Sequence, residues 1–361
     1  MKILKVIPPS KSMKYKFDNN SLKEWFNTKK RDLPWRHTQD PYAIWISEVM
    51  LQQTQVAVVI PYYLNWMKRY PSIQSLAEDS LDGVIKNWEG LGYYSRARHL
   101  HAGAKYILEN LNGVFPNDEK LLYGIKGLGP YTVGAILSFA FHQRIAAVDG
   151  NVLRVLTRYF GIKEDITKSK TQKKLRGLAL EILPETESWI INEALIELGA
   201  TVCQKKAKCY ECPLSKNCVS YLDNLTEEIP VKSKKPETEN LYRSVAIIQH
   251  QSLFLVKRGE KGRVMSDLYE FPYFERKEED ARENFLEKIS IQLSLYLKTI
   301  KSLEEIKHGF TRYRVRLYPW LFNCEQLKPV EGYEWIESHK LKELPFSSGH
   351  RRILKNLQIL F

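Results

Sequence analysis

The sequence predicts a multidomain protein, an all-α region followed by a smaller α/β domain. Its length of 361 residues exceeds that of an ordinary single domain. Helical apolar spacing and short loops dominate up to about residue 222, whereas strand-like apolar runs begin near residue 241. The charged stretch between them, residues 227–237, has the composition of a solvated linker. We therefore expect an N-terminal extension (1–19), a helical region (20–222), a linker (223–240) and a second domain (241–361).

Charge and composition narrow the choice of partners. The net charge is +13 and the pI is near 9.3, which favours a polyanionic partner. No basic amphipathic helix stands out, so nucleic acid is favoured over a membrane surface. No apolar run approaches the roughly eighteen residues that span a bilayer, and the apolar stretch at the N-terminus is too short for a signal peptide. We expect a cytoplasmic monomer, associated with the nucleoid if it is bacterial.

The helix predicted over residues 45–56 carries an acid, Glu48, on its apolar stripe. Burial without a counter-charge raises the pKa of a carboxyl group, and an acid that is neutral near pH 7 can donate a proton. The simpler interpretation is an acid at the edge of the stripe that snorkels or pairs with an arginine. At 100° per residue, the stripe consists of Trp45, Glu48, Val49, Gln52 and Val56.

The segment of about residues 121–141 predicts two helices joined by a tight turn. Gly127 and Gly129 permit close approach of a ligand to the backbone, and Pro130 suits the first turn of the second helix. Amides exposed in such a turn, beside a helix N-terminus, form a phosphate site. Glycine-rich turns are common, but the K-G-x-G-P-Y-T pattern that begins at Lys126 is more specific. It indicates a helix-hairpin-helix element, which grips a DNA backbone without reading bases.

A second acid, Asp149, precedes another predicted helix. Asp149 is suited to cap that helix, and capping alone would explain an aspartate there. Backbone amides and the helix dipole also favour the ionised carboxylate. With Glu48 in apolar and Asp149 in polar surroundings, one acid could donate a proton while the other stabilises a cation. Cleavage of a glycosidic bond needs that division, because its transition state resembles an oxocarbenium ion.

Four of the five cysteines lie within sixteen residues, in a C-x5-C-x2-C-x5-C pattern formed by Cys203, Cys209, Cys212 and Cys218. A disulfide framework is not expected in a cytosolic chain. Zinc usually takes two separated CxxC-like pairs, whereas one compact loop of four thiolates suits a cubane [4Fe–4S] cluster better. Zinc and a metal-free loop stay open as alternatives. The fifth cysteine, Cys324, is expected to be a core thiol.

The C-terminal domain is predicted from its strands and helices. Strand-like runs occur at residues 245–248, 253–256 and 313–318. Helical spacing occurs at residues 284–297 and 350–360. This mixture indicates a small α/β domain.

These motifs resemble adenine DNA glycosylases of the MutY family, within the endonuclease III-like helix-hairpin-helix superfamily. The matching segments are residues 45–56, 90–98, 127–132 and 148–152 and the cysteine loop of residues 203–218. The resemblance is dense over residues 20–222 and weaker toward the C-terminus. It implies a [4Fe–4S] cofactor and the removal of adenine mispaired with 8-oxoguanine or guanine in duplex DNA, after the base is flipped out of the stack.

The resemblance also implies catalytic roles. Glu48 would protonate the adenine at N7, Asp149 would stabilise the developing sugar cation, and Tyr131 and Asn151 would position sugar and water. Bifunctional relatives place a lysine where Tyr131 stands, and that lysine forms a Schiff base before the strand is cleaved. Those relatives also lack an acid equivalent to Glu48. The resemblance therefore implies a monofunctional glycosylase that leaves an abasic site.

Contacts with DNA follow from the same resemblance. Gln53 and Tyr93 match residues that wedge into the duplex near the flipped base and the opposing base. Trp35, Arg36 and Glu193 match residues of the adenine pocket. Two simpler interpretations stay open, in which Trp35 belongs to the core and Arg36 is a plain ion-pair partner for an acid.

The C-terminal domain resembles the Nudix-like module that reads 8-oxoguanine. The usual Phe-Ser-His signature appears here as Phe310-Thr311-Arg312. Thr311 retains a hydroxyl, whereas Arg312 adds a fixed positive charge that suits a phosphate, so selectivity for 8-oxoguanine over guanine is expected to soften. The alternative is a strand with alternating solvated cations, Arg312, Arg314 and Arg316. The module lacks the acidic Nudix-box pattern and is expected to bind without hydrolysis.

A second departure concerns the cysteine loop. Five residues separate Cys203 from Cys209, where the family usually has six. The deletion is expected to move the path of the loop and to preserve ligation.

Two other functions stay open at the level of sequence. A glycosylase for thymine opposite guanine is disfavoured by Glu48, because an acid at a purine N7 is of no use to a pyrimidine leaving group. A non-catalytic DNA mismatch-binding protein is disfavoured because both carboxylates are kept. Beyond DNA, the candidate partners are an abasic-site endonuclease and replication or mismatch-repair factors.

Overall fold

The computed structural model describes residues 17–233, 237–259, 266–276, 285–310 and 312–358. The chain forms two compact units that do not follow its linear order. The first unit combines Met1–Ala77 with Ala102–Lys234, and the second unit combines Glu78–His101 with Lys235–Phe361. The predicted division placed residues 78–101 in the helical region, whereas here they cluster with the C-terminal strands. Within the described ranges, no helix has both the length and the apolar character that crossing a membrane requires.

The described chain up to residue 222 is helical, as predicted. Two of its helices, α2 and α8, are buried on nearly every side, because apolar residues fill their whole circumference and not one stripe. These helices are α1 (Asn19–Lys29), α2 (Pro41–Leu51), α3 (Val56–Arg69), α4 (Ile73–Glu78), α5 (Leu81–Asn87), α6 (Ser95–Asn110), α7 (Glu119–Gly124), α8 (Pro130–Phe139), α9 (Gly150–Phe160), α10 (Ser169–Ile182), α11 (Ser188–Thr201) and α12 (Val219–Leu222).

The helix predicted over residues 45–56 is interrupted. Helix α2 ends at Leu51, and Gln52 is its extended C-cap. Gln53 then adopts a left-handed φ of 59°, which breaks the helical path. The side chain of Gln52 donates to the hydroxyl of Thr132 at 3.3 Å. Gln52 therefore does not share a helical stripe with Glu48, and Val56 opens the next helix.

The second unit contains a mixed sheet whose described strands follow the order β3-β2-β1-β7-β5, with β4 on β1, β6 on β7 and β8 on β2. The long central pair, β1 and β7, is parallel and pairs Val245 with Pro319. Separate apolar clusters include Ile353 of α14 and Ile289 of α13. The elements are β1 (Glu239–His250), β2 (Leu253–Arg258), β3 (Tyr269–Glu270), β4 (Tyr273–Arg276), α13 (Phe285–Leu293), β5 (Leu297–Ser302), β6 (Ile306–Phe310), β7 (Tyr313–Cys324), β8 (Glu334–Glu337) and α14 (Ser348–Gln358).

The three predicted strands lie within β1, β2 and β7, and Cys324 is buried as predicted. The helix predicted over 284–297 is too long. Helix α13 ends at Leu293, Ser294 has a left-handed φ of 53°, and Leu297 already begins strand β5.

The predicted linker is also only partly solvated. Ile229 is 0% exposed, and the guanidinium of Arg158 on α9 donates to the carbonyl oxygens of Thr226 and Ile229 at 2.7 and 2.8 Å. An apolar side chain and paired carbonyls thus attach the beginning of this charged segment to the first unit.

Candidate active site

One cavity of about 850 Å³ in the first unit collects most of the predicted site residues. Lys126 is exposed on the hairpin. Tyr93, Phe310 and Arg312 belong to the second unit, and Thr311 lies outside the described residues. The predicted residues that line the cavity are Trp35, Arg36, Glu48, Gln53, Gly127, Gly129, Tyr131, Asp149, Asn151 and Glu193.

Glu48 is a buried acid of this cavity. It is 6% exposed because α2 has no solvent-facing side, and the hydroxyl of Tyr131 donates to its Oε2. Burial raises the pKa of Glu48 to about 7, the Tyr131 hydrogen bond opposes that rise, and the charges of Asp149 and Glu193 add to it. The interpretation of an acid at the edge of a stripe is therefore wrong. A protonated form of this carboxyl group is therefore available near neutral pH.

Asp149 caps helix α9, as predicted. Its carboxylate accepts hydrogen bonds from the backbone N–H groups of Asn151 and Val152 at 2.9 and 2.8 Å and from the Asn151 side chain at 2.7 Å. Burial nevertheless raises the pKa of Asp149, and these hydrogen bonds oppose the rise. The predicted contrast with Glu48 thus holds for hydrogen bonding, whereas both acids are desolvated by the same cavity.

A residue that the sequence analysis missed, Arg154, fixes the side chain of Asn151. Its Nη2 donates to Asn151 Oδ1 and to the carbonyl of Gly199, both at 2.8 Å, and its Nε donates to the carbonyl of Cys203 at 2.6 Å. Gly199 permits this arrangement, because a Cβ there would lie 2.6 Å from Asn151 Cβ. Arg154 follows Asn151 by three residues on α9, and this spacing in the sequence could have indicated that the two side chains are in contact.

Two acids of α11 face Arg36 from the wall of the cavity. Arg36 Nε lies 3.5 Å from Glu193 Oε1, and Arg36 Nη2 lies 2.9 Å from Glu197 Oε2. Arg36 therefore is an ion-pair partner and a cavity residue at once. Trp35 is both a core residue and a cavity residue, since it packs edge-on against Tyr63 with ring centroids 5.4 Å apart and also lines the cavity. Glu197 was missed, although its position one helical turn after Glu193 could have revealed it.

Another pair that the sequence analysis missed is a stack of aromatic rings at the cavity. His142 and Trp189 lie 3.9 Å apart between centroids, at an interplanar angle of 11°. Both line the cavity, and His142 has a left-handed φ of 54°. They are distant in sequence, and neither belongs to a motif, so no local signal marked them.

The two predicted wedge residues share an unusual backbone. Gln53 and Tyr93 have φ values of 59° and 48°, in the left-handed region that few residues other than glycine adopt. Gln53 is exposed, and Tyr93 is 44% exposed. Each unit thus presents one accessible side chain from a strained turn.

The predicted hairpin is present as α7, a short turn and α8. Gly127 has a φ of 94°, which a residue with a Cβ would adopt only under strain, and Pro130 occupies the first helical position after the Gly129 N-cap. A Cβ at Gly129 would meet no protein atom within 4 Å. The backbone on this side of the turn is therefore open to a ligand.

The four clustered cysteines line a second, small cavity of the first unit. Burial raises the pKa of Cys212 to about 12 and that of Cys218 to about 11. Arg158 Nη1 lies 3.5 Å from Cys203 Sγ and also donates to the carbonyl of Gln204, and Arg158 Nη2 donates to the carbonyl of Lys205. In the part of the chain that the structure describes, no three His, Cys, Asp or Glu side chains are grouped closely enough to hold a single metal ion.

The predicted lesion-reading segment lies at the turn between β6 and β7. Phe310 ends β6 and contacts the ring of Tyr313, with centroids 5.4 Å apart. Arg312 is exposed and lies 3.7 Å from Glu239. Along β7, exposed Arg314 and Arg316 alternate with buried residues, which agrees with the interpretation of alternating solvated cations.

The two acids, the hairpin and the fold define a class of protein. Residues 46–179 match the family described as HhH-GPD superfamily base excision DNA repair protein, and residues 244–356 match the NUDIX domain. A solved thermostable thymine-DNA glycosylase is 30% identical, with a TM-score of 0.51, over 56% of this chain and 94% of that chain.

Two curated relatives define the family more closely. The adenine DNA glycosylase of Buchnera aphidicola subsp. Baizongia pistaciae (strain Bp) is 38% identical over 81% of this chain and 82% of its own length. The Homo sapiens adenine DNA glycosylase is 45% identical over 55% of this chain and 38% of its own length. The chain belongs to the adenine DNA glycosylase family and is a DNA glycosylase, a hydrolase of N-glycosyl bonds.

Proposed function

We propose that this enzyme excises adenine mispaired with 8-oxoguanine or guanine in duplex DNA and leaves an abasic site without cutting the strand. The observation that carries the proposal is the pair of acids in one cavity. Glu48 is buried and accepts a hydrogen bond from one hydroxyl group, whereas Asp149 accepts hydrogen bonds from three N–H donors. Protonation of a purine and stabilisation of a sugar cation need these two environments.

Glu48 acts as the general acid. A flipped adenine that enters the cavity meets a carboxyl group with a pKa of about 7, so that a proton is available at neutral pH. Transfer of that proton to N7 of the base withdraws electrons from the glycosidic bond and makes neutral adenine the leaving group. Once Glu48 has given up its proton, the hydroxyl of Tyr131 stabilises the carboxylate.

Asp149 acts on the sugar. Its carboxylate faces the oxocarbenium-like sugar and stabilises the positive charge as the bond to adenine breaks. Asn151, which Arg154 holds in place, positions the water that adds to C1′. The proton from that water leaves through the carboxylates, and the products are adenine and an abasic site.

The absence of strand cleavage rests on Tyr131. A phenol at this position of the hairpin cannot form the Schiff base that initiates β-elimination. Lys232 also lines the cavity. Cleavage of the strand without alkali would therefore contradict the monofunctional proposal and make Lys232 a candidate for the Schiff base.

The hairpin and the two strained turns hold the DNA. Open amides near Gly127 and Gly129, with Lys126 beside them, bind a backbone phosphate at the N-terminus of α8. The exposed side chains of Gln53 and Tyr93 enter the duplex, where wedge residues unstack base pairs and favour flipping.

The cysteine loop is proposed to hold a [4Fe–4S] cluster, and its residues fit that group. The four thiol groups line one cavity, as the ligands of a cubane do. When bound, the cluster cross-links the loop through Cys203, Cys209, Cys212 and Cys218. Iron analysis tests this proposal: Cys212→Ser should lose iron, and Cys324→Ser should retain it.

The second unit is proposed to read the base opposite adenine through Phe310, Thr311 and Arg312. The exposed guanidinium of Arg312 suits a phosphate, so the preference for 8-oxoguanine over guanine is expected to be modest. The abasic product is reactive, and an abasic-site endonuclease is the proposed partner that consumes it, alongside replication or mismatch-repair factors.

Single-turnover excision on matched duplexes tests the proposal. Each duplex carries one adenine opposite 8-oxoguanine, guanine, cytosine or thymine, and a further duplex carries thymine opposite guanine. We expect product only after alkali, released fastest opposite 8-oxoguanine and next opposite guanine. Release of thymine without release of adenine would instead support the activity named for the solved relative.

A further inference from the structure

The carboxylate of Glu197, on the wall of the proposed adenine pocket, has no part in the reaction described above. It lies on α11, one turn beyond Glu193, and is completely buried. It accepts hydrogen bonds from Arg31 Nε at 2.7 Å, from Arg31 Nη2 at 2.9 Å and from the Arg31 backbone N–H at 3.2 Å. A fourth comes from Arg36 Nη2 at 2.9 Å. A buried carboxylate with this many donors stays ionised, and its pKa is accordingly lowered.

These contacts fix Arg36 in one orientation. Nη2 binds Glu197, Nη1 donates to the carbonyl of Arg31 at 2.8 Å, and Nε faces Glu193 at 3.5 Å. The guanidinium also lies over the ring of Phe26, 5.2 Å from its centroid. Each of its nitrogen atoms is thus engaged, and its side chain is only 12% exposed. Of these partners, Glu197 is the only one that carries both a full charge and a hydrogen bond under 3 Å.

Glu197 also balances the charge near the catalytic acid. Among the charged or titratable groups that act on Glu48, Tyr131 favours its ionised form through a hydrogen bond and Arg36 does so through its charge, whereas Asp149 and Glu193 oppose ionisation. Lys30 acts in the same sense on Glu193. If Glu197 were neutral, only Asp149 and Glu193 in this group would oppose the charges of Arg31 and Arg36.

We propose that Glu197 is a positioning residue that holds Arg36 against the pocket wall and cancels its charge, so that Glu48 remains protonated when adenine arrives. The inference deepens the proposed excision of adenine and depends on it. In this arrangement Arg36 and Glu193 form a fixed donor and acceptor for the edge of the base. Glu197 touches neither base nor sugar and acts through Arg36.

The pH dependence of single-turnover adenine excision tests the proposal, with saturating enzyme and an adenine·8-oxoguanine duplex. Glu197→Gln keeps the shape and removes the charge. The unbalanced positive charges of Arg31 and Arg36 then favour the ionised form of Glu48. The alkaline limb of the pH–rate profile, where the excision rate falls as the pH rises, therefore moves to lower pH by about one unit. The rate at about pH 8 should fall about tenfold relative to wild type, with a much smaller loss near pH 5.5.

Three variants separate this role from a general loss of structure. Glu197→Asp keeps the charge and should return the limb toward its wild-type position. Arg31→Gln combined with Glu197→Gln restores the net charge and should do the same, even where the single variant folds poorly. Glu187→Gln removes an exposed ion pair with Lys23, 2.6 Å long, at the start of the same helix and should leave the limb unchanged.

The outcomes are distinct. A limb that stays in place in Glu197→Gln, with an equal loss of rate at every pH, would overturn the inference and make Glu197 a structural residue only. A limb that moves in Glu197→Gln and is not restored by the double variant would also contradict charge balance. If wild-type protein releases no adenine at any pH, the proposed function fails, and that result is visible before any variant is compared.

Discussion

At the scale of single residues, the proposed chemistry depends on a carboxyl group that its surroundings keep from ionising. Glu48 lies on a helix with no solvent-facing side, and Tyr131 supplies the hydrogen bond to its Oε2. The raised pKa makes ionisation costly in the folded protein. Below the ordinary glutamate pKa of 4.5, Glu48 is protonated in both the folded and the unfolded chain. As the pH rises from 4.5 to about 7, the folded protein loses stability relative to the unfolded chain.

Tyr131→Phe gives a prediction at this scale. The hydroxyl stabilises the ionised form of Glu48, so its removal should raise the pKa of Glu48 further. The alkaline limb of single-turnover excision should therefore move to higher pH. Tyr123→Phe, on the exposed side of α7, serves as the control and should leave the limb in place. A limb that moves to lower pH would contradict the assignment of the hydrogen bond.

Individual site residues were predictable where a local pattern marked them. The cap at Asp149 and the turn at Gly127 follow from local rules of helix ends and glycine, and the structure confirms both positions. The burial of Glu48 was predicted from an apolar helical stripe over residues 45–56, although the helix itself ends at Leu51. The pairing of Arg31 with Glu197 was not predictable, because it joins distant parts of the chain and depends on tertiary packing.

At the scale of elements, helix α8 connects the proposed phosphate site with the proposed general acid. Its first turn begins at the Gly129 N-cap and contains Tyr131, whose hydroxyl reaches Glu48. A phosphate held at the N-terminus of α8 would therefore lie within one helical turn of the catalytic hydrogen bond. Helix α9 has a similar arrangement, since its N-cap is the second acid, Asp149.

The hairpin turn gives a second prediction. Gly127→Ala places a Cβ at a φ of 94°, which should distort the turn and move its amides away from a phosphate. DNA affinity should fall about tenfold or more, by a similar factor for every base opposite adenine, because backbone contacts carry no sequence information. Fluorescence anisotropy with paired and mispaired duplexes measures this effect.

Gly124→Ala is the matched control for the hairpin. A Cβ there would make an ordinary contact, 3.9 Å from the Tyr106 hydroxyl, at a helical position. Its affinity should stay close to that of wild type. Equal affinities of both variants for every duplex would contradict the proposed grip.

Element types were predicted better than element ends. Strands β1, β2 and β7 and helix α14 were anticipated from apolar spacing, whereas α13 was extended too far. The spacing of apolar residues continues through Leu295 and Leu297, but a left-handed residue at Ser294 redirects the chain into β5. Periodicity alone does not distinguish a helix that continues from an apolar strand that follows it.

At the scale of the whole molecule, the second unit includes a segment from the middle of the helical region. Residues 78–101 are attached to the C-terminal part of that unit by ion pairs. Arg98 lies 3.2 Å from Asp267, and Arg351 pairs with Glu89. A change in composition located the second domain near residue 241, but no local pattern reveals contacts that join such distant parts of the chain.

These ion pairs give a third prediction. Asp267→Asn combined with Arg351→Gln should loosen residues 78–101 and increase amide hydrogen exchange there about tenfold, while the first unit keeps its protection. Hydrogen exchange of the full chain, read by mass spectrometry, measures this change. Glu325→Gln removes an exposed ion pair with Lys298 and serves as the control. Unchanged exchange over residues 78–101 would show that these pairs do not hold the segment.

Glu48→Gln tests the central claim most directly, compared with wild type on an adenine·8-oxoguanine duplex. The amide has the same shape and cannot donate the proton, so excision should fall by at least about a thousandfold while DNA affinity stays within about threefold. The same change removes a buried charge above pH 7 and should raise the melting temperature at about pH 8, since ionisation of this acid costs on the order of 3 kcal/mol. Excision by Glu48→Gln at the wild-type rate would contradict the account.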